Sequence, residues 1–341
     1  MRVLHLPLEF SSFFSAKKLS YPVGIGMVEG FEGNKISHLT IPIMYFDQLW
    51  LYKLKELVGD RKFDQVWLEV VHSSISEYTL EWLTSVAPVR IGFVIENMDI
   101  TPGEFKDNPI GTQRRVDNLN QKLPYLTHTM VVNAIDVTNF NIPSMYCATS
   151  VPERSVRVSN STSDNAVFYG TIYGERSEFA AKLKYYLNIN PPSSEDNSNL
   201  PRLFEQLFAT SEYLVEKYNN FYRDWYYIRQ GIYFNWINHL HHLSGCAIVN
   251  LPHRSQLLPG RVIEGMAAGK PIVSPLMDNT VFVDEKEILY YEDIDSLINC
   301  LDRLRSDPDL RFYLAEAARV KVLENHTTEV RVREIIEFVG G

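Results

Sequence analysis

From Leu258 to Ser274 the chain reads Leu-Pro-Gly-Arg-Val-Ile-Glu-Gly-Met-Ala-Ala-Gly-Lys-Pro-Ile-Val-Ser. Pro259-Gly260 makes a turn, and the small and apolar residues after it predict a short helix. Gly269 closes that helix, and Pro271 opens a buried strand. A helix N-terminus at the edge of a parallel sheet presents unpaired N–H groups and the positive end of a dipole, which suits a diphosphate. Arg261 adds a planar donor fork at that end. Glu264, one turn on, can accept hydrogen bonds from ribose hydroxyls. The plainer alternative makes Glu264 a solvated helix carboxylate with Arg261 as its neighbour.

A second segment, Phe168-Tyr169-Gly170-Thr171-Ile172-Tyr173-Gly174-Glu175-Arg176, ends a strand at Gly170 and opens a helix at Arg176. Glycine lets backbone approach a phosphate, and an arginine there stabilises a departing diphosphate. The competing reading is a surface arginine paired with Glu175 or Glu178.

The N-terminal half offers weaker chemistry. Pro22 to Gly30 invites a dinucleotide loop, but the third glycine would fall at Glu29 and no strand directly precedes the loop. Gly24 and Gly26 are instead expected at a helix start. His72 follows the strand Gln65–Val71, at the carboxyl edge where open α/β sheets place ligands. It is a candidate base or acceptor-site hydrogen bonder, or a plain loop histidine. Glu69 and Glu96 are similar candidates. His239-Leu240-His241-His242 has no nearby cysteine or patterned carboxylate, so no metal is expected. Neither a serine-nucleophile elbow nor a Gly-x-x-x-x-Gly-Lys loop is present.

The elements that must hold these residues are legible as alternating strands and helices. Strands are expected at Val3–Leu6, Leu39–Ile43, Gln65–Val71, Arg90–Ile95 and Thr129–Val132. Helices are expected to open near Gly24–Gly26 and to run over Phe46–Val58 and Ile75–Val86. Strands such as Val66-Trp67-Leu68-Glu69-Val70-Val71 read as buried on both faces. Residues 149–165 are polar and rich in turn formers, as a linker should be. A second series then runs through Ala166–Tyr169, Ala247–Asn250, Pro271–Val273 and Ile288–Tyr291. Between them, residues 200–243 are helical in period and dense in aromatics, including Tyr222, Trp225, Tyr226, Tyr227, Tyr233, Phe234 and Trp236. That spacing favours packing over a base-stacking surface.

Composition sets the outer bounds. A chain of 341 residues is long enough for two domains, and 45% hydrophobic with 22% charged residues is globular. A net charge of −9 argues against a nucleic-acid partner. Three widely spaced cysteines, without an apolar run long enough to span a bilayer, fit a cytoplasmic protein with reduced thiols.

The run Arg261–Val273 resembles the nucleotide-sugar segment of GT-B glycosyltransferases, Glu-Ala-Met-Ala-x-Gly-x-Pro-Val-Val. The Glu285–Leu304 and Asp307–Arg319 stretches resemble that family's closing modules. His326-Thr327-Thr328, followed by Arg331 and Arg333, resembles the ending of its CgeB-like (spore maturation protein) branch. The Gly170–Arg176 loop is similar to the CgeB-like Gly-Ser-x-Tyr-x-Glu-Arg version.

The resemblance implies an α/β GT-B fold, two doubly wound Rossmann-like domains facing a cleft. Residues 1–148 would form the acceptor-side domain and 166–325 the nucleotide-sugar domain, with 326–341 a helix crossing back to the first. It implies sugar transfer from a nucleoside diphosphate, without a metal or other cofactor, to a glycan, lipid-linked, small-molecule or protein acceptor. Glu264 would hold the ribose, and Arg176, Arg261, Val262 and the turn at Gly260 the diphosphate, with Gly170, Thr171 and Tyr173 in the donor loop. Two positions depart from the pattern. Gln256 stands where the family has a glutamate beside the transferred sugar, and Thr171 where many members have an arginine. Both leave open a sugar-nucleotide binder without catalysis, and a GT-B-fold epimerase is a third reading.

Overall fold

The computed structural model describes residues 1–9, 25–41, 43–44, 50–73, 75–98, 108–170, 172, 174–189, 236–243, 245–252, 258–277 and 280–340. These fall into two compact units. One holds Met1–Cys147 and the chain's end from Val332, and the other holds the described residues between.

The first unit is built on a six-stranded sheet of order β3-β1-β5-β6-β7-β8, with every pairing parallel. Its strands are β1 (Arg2–Leu6), β3 (Ser37–Thr40), β5 (Gln65–Glu69), β6 (Val89–Val94), β7 (His128–Val131) and β8 (Ser144–Tyr146). The short β2 (Leu8–Glu9) and β4 (Ile43–Met44) pair separately. Helices α1 (Ile25–Gly33), α2 (Trp50–Val58), α3 (Glu77–Val86) and α4 (Pro109–Lys122) connect the strands. The β5 strand is buried at all five positions, as a central parallel strand must be. Trp67 is fully enclosed between Phe31 and Phe93, and its indole donates to Gln65 Oε1 at 2.7 Å, so burial leaves its N–H satisfied. Val332 and Ile335 join this core with Val3, Ile91 and Met130.

The second unit has a five-stranded parallel sheet of order β10-β9-β11-β12-β13. Its strands are β9 (Ala166–Phe168), β10 (Leu187–Ile189), β11 (Ile248–Val249), β12 (Ile272–Pro275) and β13 (Leu289–Tyr291). Helices α5 (Glu175–Lys182), α6 (Gly260–Ala267), α7 (Ile294–Ser306) and α8 (Pro308–Asn325) pack with them, and α9 (Thr328–Gly340) ends the chain. Asp293 and Ser296 form a reciprocal capping box at the start of α7, and Asp307 caps α8. Gly269 terminates α6 at φ 73°, a left-handed conformation that glycine adopts without strain.

Both sheets have a point where the strand order reverses: between β1 and β5 in the first unit, and between β9 and β11 in the second. Loops leaving the carboxyl ends of strands at such a point form a crevice suited to ligands. The three cysteines are buried and form no disulfide. No helix among the described residues is long and apolar enough to cross a membrane.

Candidate functional site

In the second unit the carboxyl ends of β9 and β11 lie side by side, and the functional side chains gather there. Tyr169 and Gly170 follow β9, Asn250 follows β11, and α6 begins at Gly260 with Pro259 at its cap position and no side-chain cap bond. Its first-turn N–H groups are therefore not claimed by a capping side chain.

Glu264 sits on the buried face of α6 at 3% exposure, which ends the solvated-carboxylate alternative. Its Oε2 accepts from Tyr169 Oη at 2.9 Å and from Trp236 Nε1 at 3.3 Å. Tyr169 and Trp236 meet edge to face at 5.1 Å between ring centres. Oε1 is buried and makes no hydrogen bond. Burial pushes the Glu264 carboxyl above its ordinary range, opposed by the bonds from Tyr169 and Trp236 and by the charge of Arg261. The Tyr169 phenol is pushed well up, first by burial and then by the Glu264 charge.

Two arginines share one aromatic ring. The Arg261 guanidinium stands 4.7 Å from the centre of the Phe168 ring, and that of Arg176 5.6 Å from the same centre. Arg261 Nη1 donates to Asn250 Oδ1 at 2.9 Å, while Asn250 Nδ2 donates to Ser274 Oγ at 3.0 Å. Arg176 is 3% exposed and donates from Nε to the carbonyl of Pro252 at 2.7 Å, whereas Glu178 pairs with Lys182. Arg176 is thus an interior cation rather than a surface one. Gly170 adopts φ 136°, and a Cβ there would collide with Arg261 Nη2, so both its backbone and its lack of a side chain are used.

Among the donor-side residues expected from sequence, the structure brings Gly170, Arg176, Gly260, Arg261, Val262 and Glu264 to these elements. Val262 is buried in α6. Thr171, Tyr173 and Gln256 lie outside the described residues, as do Gly24 and the aromatic segment as far as Phe234. Tyr169, Trp236, Phe168 and Asn250 were not among the expected site residues. Asn250 had one signal, a polar residue ending the apolar run Ala247-Ile248-Val249. Trp236, expected to serve packing, also spends its indole N–H on Glu264. His241 Nδ1 lies 2.9 Å from the carbonyl of Ala268 at the end of α6, and the described residues contain no cluster of metal-binding groups.

In the first unit His72 and Glu96 follow the adjacent strands β5 and β6. His72 Nε2 lies 3.2 Å from Glu96 Oε1, and Arg115 of α4 donates to Glu96 Oε2 at 3.4 Å. Glu69 turns its carboxylate on its own loop: Oε1 accepts from the amides of Val71 and His72 at 2.6 and 2.7 Å, and Oε2 from that of Ser73 at 2.8 Å. The buried Lys122 closes the same loop from the other side, donating to the carbonyls of Val70 and Ser73 at 3.1 and 2.6 Å. Gly26 lies in the first turn of α1.

The fold, with its two parallel sheets, matches that of solved glycosyltransferases. HepE from Anabaena, in complex with UDP-glucose, superposes with a TM-score of 0.58 at 9% identity, covering 100% of this chain and 99% of that one. The fold is GT-B. Sucrose-phosphate synthase from Thermosynechococcus elongatus shares the GT-B arrangement at TM-score 0.58 and 13% identity, over 100% and 98% of the two chains. An α-glucosyltransferase in complex with UDP and a 13-mer DNA containing an HMU base has the same score and identity over 100% of both. Within this GT-B chain, residues 234–337 match a family model described as glycosyl transferase-like. No curated protein matches the chain.

Proposed function

We propose that the protein transfers a sugar from a nucleoside-diphosphate donor to an acceptor, as a hexosyltransferase. The observation that carries this reading is the Glu264 carboxylate, buried one turn into α6, with one oxygen fixed by Tyr169 and Trp236 and the other unbonded. A buried, unbonded carboxylate oxygen is costly unless a ligand donor meets it, and a ribose hydroxyl is such a donor. Arg176, Arg261 and the N-terminus of α6 supply positive charge for the diphosphate. As the acceptor oxygen bonds to the anomeric carbon, the bond from that carbon to the diphosphate breaks and its electron pair leaves with the diphosphate. Charge stabilisation of that leaving group is the rate-promoting term assigned to the two arginines.

His72, with Glu96 on its Nε2, is the residue we assign to the acceptor proton, with Gly24, Gly26 and Glu96 on the acceptor side. The HepE structure holds UDP-glucose and the α-glucosyltransferase structure holds UDP, which supports a nucleotide sugar as donor here. The His326-Thr327-Thr328 ending supports the CgeB-like branch as its type, and three buried cysteines outside any disulfide support a cytoplasmic setting.

A non-catalytic sugar-nucleotide binder is favoured by two positions of the sequence, Gln256 and Thr171 in place of a family glutamate and arginine. A turnover assay with UDP-, GDP-, ADP- and CMP-sugars separates the two. Release of free nucleotide that depends on an added acceptor supports transfer, and saturable binding with no turnover supports the binder.

A further inference from the structure

Asn250 is buried just past the carboxyl end of β11, and each of its polar groups has a partner within the second unit. Its backbone N–H donates to the carbonyl of Val273 at 2.8 Å, and its own carbonyl accepts from the Tyr291 hydroxyl at 2.8 Å. On the side chain, Nδ2 donates to Ser274 Oγ at 3.0 Å and Oδ1 accepts from Arg261 Nη1 at 2.9 Å. Ser274 spends its own hydrogen on the carbonyl of Pro275 at 2.8 Å, so toward the amide its oxygen can only accept. That settles which way the carboxamide turns, with its nitrogen on β12 and its oxygen on α6.

The side chain is not needed to join the strands, because the backbone bond from Asn250 to Val273 already continues the β11–β12 pairing. Burying a carboxamide after the apolar run Ala247-Ile248-Val249 costs more than burying another apolar side chain would. What the carboxamide adds is a fixed acceptor for Arg261. It holds that guanidinium 4.7 Å from the centre of the Phe168 ring, where the bare Cα of Gly170 leaves room for Nη2. An aspartate at 250 would hold the same nitrogen but offset its charge. A neutral amide holds the fork and leaves the charge in place.

We infer that Asn250 is a positioning residue for binding of the donor's diphosphate, acting through Arg261 and not by touching the ligand. The inference rests on the donor-site reading above. Arg261 is only half-buried, so without the carboxamide more rotamers are open to it. Ordering the side chain again when the anion binds then costs affinity.

The test is a double-substitution cycle read by calorimetric titration of the full chain with UDP, GDP, ADP and CDP, with melting measured alongside. Asn250→Ala is expected to weaken the tightest-bound nucleoside diphosphate about tenfold, and Arg261→Ala to weaken it about as much. In the Arg261→Ala background, Asn250→Ala should cost no further affinity, a result that a merely structural role would not give. Asn250→Leu, which keeps the volume, carries the same cycle if the alanine variant fails to fold. Asn250→Asp should also weaken binding about tenfold while melting no lower than the alanine variant, because the carboxylate keeps the anchor and offsets the charge. Unchanged affinity in the position-250 variants, or equal losses with and without Arg261, overturns the inference and leaves the donor site standing. Failure of the unaltered protein to bind any of the four nucleotides overturns the inference and the donor-site reading together.

Discussion

Tyr169 donates its phenolic hydrogen to Glu264 Oε2 at 2.9 Å, joining the residue just past β9 to the buried face of α6. The bond fixes which carboxylate oxygen of Glu264 is used by the protein. Phenylalanine at 169 keeps the ring contact with Trp236 and removes only the donor. Tyr169→Phe is expected to cost about 1–3 kcal/mol of stability, the usual penalty for depriving a buried charged group of a hydrogen bond. Urea denaturation measures it, and nucleotide affinity is expected to fall in the same variant because Oε1 loses its fixed position.

Donor binding should depend on pH through Glu264. Burial raises its pKa above the ordinary 4.5, and a protonated carboxyl is a poorer acceptor for a ribose hydroxyl. Affinity is expected to fall as pH drops through that raised pKa, at a pH higher than an exposed glutamate would give. Glu264→Gln should flatten this limb, as read from dissociation constants measured over a pH series.

Four of the five strands of the second sheet, all but the edge strand β10, were legible because parallel strands buried on both faces leave unbroken apolar runs, as at Ala166–Phe168 and Ile248–Val249. The motif at α6 was legible because a turn, a short helix and a terminating glycine all leave local marks. Helix α4 was not. Its face is mostly polar, with only Thr112, Leu119 and Lys122 buried, so no apolar stripe announces it. The partners of Glu264 were equally hidden, because Tyr169 and Trp236 reach it across 95 and 28 residues of sequence. Such contacts are set by the order of strands in the sheet, which no local pattern encodes. The reading of Glu69 as a ligand-facing acid met the same limit, since its three backbone partners follow from a loop geometry that residue types do not specify.

The loop bearing His72 is held by Glu69 on its amides and Lys122 on its carbonyls. Glutamine at 69 turns an amide donor toward N–H groups that need acceptors. Glu69→Gln is expected to cost about 1–3 kcal/mol. The amides of Val71, His72 and Ser73 should exchange with solvent about tenfold faster, as measured by hydrogen exchange.

His326 is buried, and neither ring nitrogen is hydrogen-bonded. Burial, reinforced by Arg331 and Lys321, lowers its pKa from 6.5 to about 4. Between those values the unfolded chain binds a proton that the folded one does not, so stability is present above pH 6.5 and falls as pH drops toward 4. His5, lowered by burial to about 3, adds to the same slope. His326→Phe, beside Phe282 at 5.3 Å, is expected to make the acid-side slope of stability shallower in denaturation curves taken from pH 7 to 4.

Calorimetric titration of UDP-, GDP-, ADP- and CMP-sugars into the protein and its Glu264→Ala and Arg176→Ala variants tests the donor site most directly. The account predicts saturable binding of at least one sugar nucleotide, weakened about tenfold or more by each substitution. Absence of binding to all four, or affinities unchanged in both variants, would contradict it.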